Sequence, residues 1–308
     1  MEIGAHLPLI PLSAEPPSLE GLRAFADTAV RTGYRWLSAN DHLVFRRPWL
    51  DGLTALASVL GSSGDLGLAT TVCLPAVRGP VQCAKAFAAL DLLSGGRFVA
   101  GLGPGSSERD YVLGGVGAED RFARFEEAVR ALRALLGRDA EPFAGRFYST
   151  AGVALEPATA SGRPPIWLAG WGGPRGLRRA AELADGWLAS GYNTTPAGFA
   201  ESWARVREQR ERRGRDPDDF ANGVATCWSY VTEDRAVAER ILAEVLSPLL
   251  GRPVEALREL SLPIGSAEVC ARNMRDFAEA GAQRVFIWPL GESVQQLAVF
   301  AEEVMPRI

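Results

Sequence analysis

Short apolar runs alternate with amphipathic helical segments along this chain. The strand-like runs lie at 2–7, 34–39, 66–72, 97–102, 165–169, 186–190, 223–231 and 284–288. Each is short and bounded by turn residues, as in strands buried on both faces. Between the first two, Leu19, Leu22, Phe25, Ala26, Ala29 and Val30 fall on one helical face behind Ser18 as N-cap, and the pattern closes near Gly33. Val81, Ala84, Phe87, Ala88 and Leu92 pattern a helix over 81–93 that Gly95 and Gly96 stop, and Phe125, Val129, Leu132 and Leu136 pattern another. Strand–helix alternation demands a parallel sheet, and about eight repeats without a linker favour a closed α/β barrel, the (β/α)₈ TIM barrel, over an open doubly wound sheet. We expect one domain over 1–308. Two stretches, 137–164 and 234–265, are too long for tight connections and are expected as insertions at the C-terminal face, shaping a substrate pocket.

Composition narrows the function. With 308 residues, 47% of them hydrophobic, the chain can bury a large core. The net charge of -4 comes without a basic block, which argues against a nucleic-acid partner. There is no apolar run of about 18 residues and no basic-then-apolar leader pattern, so the expectation is a soluble cytoplasmic protein without membrane contact. Cys73, Cys83, Cys227 and Cys270 form no CxxC pair, so free thiols and no metal are expected. Lys85 is the sole lysine and His6 and His42 the sole histidines. That census disfavours a Schiff-base aldolase and a metal amidohydrolase.

In a closed barrel the C-terminal strand ends carry the active site. His6 ends the first strand pattern, and Asn40, Asp41 and His42 end the second. A carboxylate beside an imidazole biases its proton and orientation, which makes His42 the best catalytic candidate, with Asp41 beside it. After the fourth strand come Gly101, Gly103, Pro104, Gly105, Ser106, Ser107 and Glu108, a poor dinucleotide fingerprint but a turn where backbone can approach a planar ligand. After the fifth, Gly170, Trp171, Gly172, Gly173, Pro174 and Arg175 lead into a helix, a cradle suited to phosphate, with Arg175, Arg178 or Arg179 adding charge.

Three pieces of the chain resemble the luciferase-like superfamily of flavin- and deazaflavin-dependent oxidoreductases. They are Asp41-His42, the block ending in AKAFAALDLLSGGRFVAGLGPG, and PPIWLAGWGGPRGLRRAAELADGWLAS, with GAQRVFIWPLG at 281–291 as a looser match. The resemblance implies a (β/α)₈ barrel that binds FMN or the deazaflavin F420. Thr71 and Val72 would lie behind the ring across a non-prolyl cis peptide, Asp41 and His42 would face its reactive edge, and His6, Gly103, Gly105 and Ser106 would contact the cofactor. Gly170, Trp171, Gly172, Gly173 and Arg175 would take its phosphate region, although Trp171 replaces a residue that is generally smaller in the family. His42 or Glu108 would handle a proton during hydride transfer to or from a small organic substrate, or during oxygen insertion. A homodimer is expected by the same analogy. A non-catalytic flavin-binding barrel and a cofactor-free phosphate-binding isomerase or lyase stand as alternatives.

Overall fold

A computed structural model describes residues 1–12, 16–137, 141–153 and 155–308. The first four units are β1 (Glu2–His6) with α1 (Leu19–Arg31), β2 (Trp36–Ala39) with α2 (Gly52–Ser58), β3 (Gly67–Thr70) with α3 (Pro75–Arg78) and α4 (Pro80–Leu93), and β4 (Phe98–Leu102) with α5 (Glu108–Leu113) and α6 (Arg121–Leu136). Then come β5 (Ile166–Ala169) with α7 (Pro174–Leu183) and β6 (Gly186–Ser190) with α8 (Pro196–Glu211). The long β7 (Ala221–Val231) precedes α9 (Arg235–Arg240), α10 (Ser247–Leu250), α11 (Val254–Arg258), the two-residue β8 (Ile264–Gly265) and α12 (Ala267–Glu279). Finally, β9 (Arg284–Pro289) runs into α13 (Ser293–Val299). Strands β1 to β7 and β9 pair in parallel, and the β6–β7 and β1–β9 ladders close the sheet into an eight-stranded barrel. These are the eight strand-like runs of the sequence; β8 merely extends the edge of β7.

Large rings fill the cylinder because glycines stand beside them. Ala69, Val99, Trp167, Leu188 and Phe286 form its inner cluster, with Trp36 against it. A Cβ on Gly67 would lie 2.3 Å from the Trp36 ring, and one on Gly186 would lie 2.5 Å from Trp167. Outside, helices cover the barrel with buried stripes. On α1 the stripe is Leu22, Phe25, Ala26 and Ala29, capped by Ser18 Oγ, which accepts the Gly21 N–H at 3.0 Å. Leu19 and Val30, expected on that stripe, are exposed, as are Val81 and Leu92 on α4. The α4 stripe runs instead through Cys83, Ala84, Phe87, Ala88, Leu90 and Asp91.

A bulge in β7 sets up the site. Val224 pairs with Val285 and Cys227 with Ile287, three residues on one strand against two on the other. The extra residue falls beside Thr226, whose φ of 54° is in the left-handed region. Gly223 lies beside the inward Leu188, so unbroken alternation would turn Trp228 outward. With the bulge, Trp228 pairs with Trp288, two residues beyond the inward Phe286, and both indoles enter the barrel mouth.

The two insertions sit differently. The 234–265 stretch follows β7 and crosses the C-terminal face, where Arg252 reaches the Tyr192 carbonyl beyond β6. The 137–164 stretch, expected at the same face, leaves α6 and enters β5 at the opposite end, because it joins a helix to the next strand. Its described residues climb the outer wall: Glu127 accepts the N–H groups of Arg146 and Phe147, and Tyr148 Oη donates to the Ala76 carbonyl at 3.4 Å. On the descent, Asp91 Oδ2 accepts both Ser161 N–H and Oγ–H, the contact that places a carboxylate in an apolar stripe, while Oδ1 is buried without a partner among the described residues.

Candidate active site

The chain leaves β2 through Asp41 and His42, and the two side chains diverge. His42 Nδ1 lies 2.7 Å from Asp110 Oδ2, and the other oxygen of that carboxylate accepts the N–H groups of Leu43 and Val44 at 2.9 and 2.8 Å. Asp110, on α5, is fully buried, while His42 keeps 15% side-chain exposure. A carboxylate only accepts, so Nδ1 carries the hydrogen and Nε2 presents its lone pair outward. Asp41 takes a different partner. Its two oxygens accept Nε and Nη2 of Arg78, each at 2.6 Å, and Arg78 also bonds Asp51. Partial burial works to raise Asp51, but bonds from Thr54 and the Arg78 guanidinium hold it below the usual carboxylate range. The carboxylate that orients His42 is therefore Asp110, not Asp41, which anchors α3 beneath the loop. Glu108, on the first turn of α5, is exposed; the acid two residues later points inward.

His6 ends β1 one residue beyond Ala5, which pairs with Ile287, so it stands level with Trp288. Its ring stacks on Trp288 at 3.6 Å, and Trp288 stacks on Trp228 at 4.1 Å. Trp49 meets Trp288 edge-on at 5.6 Å, and both Trp49 and Phe45 approach the His42 ring at 4.6 Å. An aromatic wall thus joins the two histidines. Burial lowers the His6 pKa to about 3, against the opposing bond to the Leu7 carbonyl. Its Nδ1 donates to that carbonyl at 2.8 Å, so the ring is neutral with Nε2 as an acceptor.

Across from this wall the Thr71–Val72 peptide is cis. Gly103 lets β4 run flush against it, since a Cβ there would lie 2.5 Å from Val72 Cγ2, and Gly105 turns with φ at 74°. Ser106 is exposed. Around the mouth, His6 Nε2, Ser38 Oγ, Asn40 Oδ1, Trp49 Nε1, Thr71 Oγ1 and Trp228 Nε1 are buried without a partner among the described residues. Each such atom costs about 1–3 kcal/mol, and six of them at one end are available to bond a ligand. A floor of Thr71 and Val72 against two glycines, with unpaired polar atoms around it, fits a planar tricyclic ring. At the neighbouring strand end, α7 begins at Pro174 without a side-chain cap, behind Gly173 and a Gly172 with φ at 81°. Its free N–H groups fit a phosphate. Arg175 and Arg178 are exposed beside it, Arg179 is bonded to Glu126, and Trp171 projects into solvent at 61% exposure.

The barrel therefore gathers His6, His42, Thr71, Val72, Gly103 and Gly105 at one mouth, with 170–175 on the adjoining rim. Sequence reasoning missed Asp110, Phe45, Trp49, Trp228 and Trp288. Trp288 ends the last strand pattern, a position that could have marked it; Asp110 carries no comparable signal.

The model of the luciferase-like monooxygenase family matches residues 5–284. An F420-dependent hydroxymycolic acid dehydrogenase of Mycobacterium tuberculosis is 30% identical over 74% of this chain, which spans 63% of that protein's length. An F420-dependent glucose-6-phosphate dehydrogenase of Nakamurella multipartita is 29% identical over 96% of this chain and 94% of its own. In fold, the chain superposes on the monooxygenase RslO1 of Streptomyces bottropensis with a TM-score of 0.86 at 21% identity, covering 99% of each chain. It superposes on an F420-dependent secondary alcohol dehydrogenase, seen with an F420-acetone adduct, at 0.84 and 19%, covering 99% of this chain and 98% of that one. With the closed barrel, the cis step and the glycine floor in place, and a family match over nine-tenths of its length, the chain belongs to the luciferase-like monooxygenase family.

Proposed function

We propose that this oxidoreductase of the luciferase-like family uses F420 and exchanges a hydride with a small organic alcohol or carbonyl compound. The observation that carries the reading is the His42–Asp110 pair at the barrel mouth, a base with one nitrogen fixed by a buried carboxylate and the other free. When bound, the deazaflavin supplies two-electron hydride chemistry. The protein supplies the rest. Thr71, Val72, Gly103 and Gly105 form the ring's floor, and Gly170, Gly172, Gly173 and Arg175 with the start of α7 hold a phosphate. His42 Nε2 accepts the substrate hydroxyl proton, or returns it in the reverse direction. Asp110 keeps the imidazole in that tautomer and stabilises its cation. The aromatic wall excludes water.

FMN-dependent oxygenation is the second reading, supported by the family description. Absorbance and mass analysis of ligand retained by the purified protein, followed by titration with F420 and FMN, separates the two. Saturable binding with preference for F420 is expected; preference for FMN with oxygen consumption favours the second reading; binding of neither refutes both. A single-domain cytoplasmic homodimer completes the proposal. Val81, Leu92 and Leu93 on α4 offer exposed apolar surface for pairing, and no helix among the described residues is long and apolar enough to cross a membrane.

A further inference from the structure

The nitrogen of His42 that is free for substrate opens onto rings, not onto cations. Phe45 and Trp49 flank it, the buried Trp288 and Trp228 back that pair, and the unpartnered N–H of Trp49 is a donor suited to one neutral oxygen. The charges nearby have the wrong sign for a phosphate ester. Asp41, Asp51 and Asp110 surround this end against one guanidinium, Arg78, which two of those carboxylates already occupy. Lys85 bonds the Glu156 carbonyl on the outer wall and Arg252 bonds Tyr192 and Asn193, while Arg46, Arg47 and Arg109 are exposed.

Resting on the reading above, we infer that the substrate is an uncharged aromatic or alicyclic alcohol, or its ketone, packed against the half-buried Phe45 and Trp49 with its oxygen at His42, and not a sugar phosphate. Flat rings gain most from stacking on indoles, and an uncharged hydroxyl can leave water for this site without a counter-ion.

Calorimetric titration tests this on the protein alone and on its F420-loaded form, with 1-phenylethanol, cyclohexanol and glucose 6-phosphate as probes. Saturable binding of both alcohols is expected, with 1-phenylethanol at least tenfold tighter than glucose 6-phosphate. Trp49→Ala should weaken 1-phenylethanol at least tenfold; Trp49→Phe, which keeps a ring and is the gentler change, should weaken it less. Tighter binding of glucose 6-phosphate overturns the inference. So does F420 binding without binding of either alcohol, which leaves the cofactor assignment standing. Failure of F420 to bind while 1-phenylethanol binds in a Trp49-dependent way removes the cofactor assignment and supports the alcohol site.

Discussion

The two histidines of this chain end neighbouring strands, yet their surroundings give them opposite chemistry. His6 is wholly buried and stays neutral in the native state down to about pH 3, whereas in the unfolded chain it takes a proton below its ordinary 6.5. Between those values the unfolded state binds more protons, so stability rises with pH and is lost as pH falls. The slope from this one group is about 1.4 kcal/mol per pH unit. Urea unfolding from about pH 7 to about pH 5 should show it in the wild type, and His6→Phe, which keeps a ring against Trp288, should flatten it. An unchanged slope would remove His6 from the account. His42 depends on Asp110 for its tautomer. Asp110→Asn offers Nδ1 an amide hydrogen in place of an acceptor and should lower turnover by at least about tenfold while F420 affinity changes little. Equal losses in both would make Asp110 a loop anchor only. Asp41 sits next to His42 in sequence but bonds Arg78, and no spacing rule reveals that choice.

At the level of elements, the strands were legible because barrel strands are short, apolar and punctuated, and the helix stripes were legible where only the barrel covers them. Two kinds of feature were not. Asp91 lies in the α4 stripe because the 137–164 strap bonds it from outside, a contact made 70 residues away. Trp228 faces inward because one extra residue in β7 reverses the two-residue alternation by which strand faces are read. Deleting Thr226 removes the extra residue, so plain alternation then keeps Trp228 inward and opposite Trp288: circular dichroism should report a folded barrel and saturable binding of 1-phenylethanol should persist. Loss of binding in a folded barrel would show that the left-handed bend at Thr226 is itself needed to aim the indole.

The whole molecule explains why the site could be located before its members were known. Closing eight parallel strands brings every strand's C-terminal end to one rim, so residues that follow β1, β2, β3 and β4 meet whatever their separation; His42 and Asp110 are 68 positions apart. The sequence thus indicates the rim, while which rim residues bond each other follows from helix phase and loop path, as with Asp110 inward and Glu108 exposed on the same turn of α5. The strap on the outer wall and the insertion over the mouth differ by the same logic, since one follows a helix and the other a strand. The central claim is that His42 moves a proton for a cofactor it does not hold. Turnover of His42→Ala at saturating F420, relative to wild type, tests it most directly: the account predicts a fall of about 10²–10⁴-fold, and turnover within about threefold of wild type would contradict it.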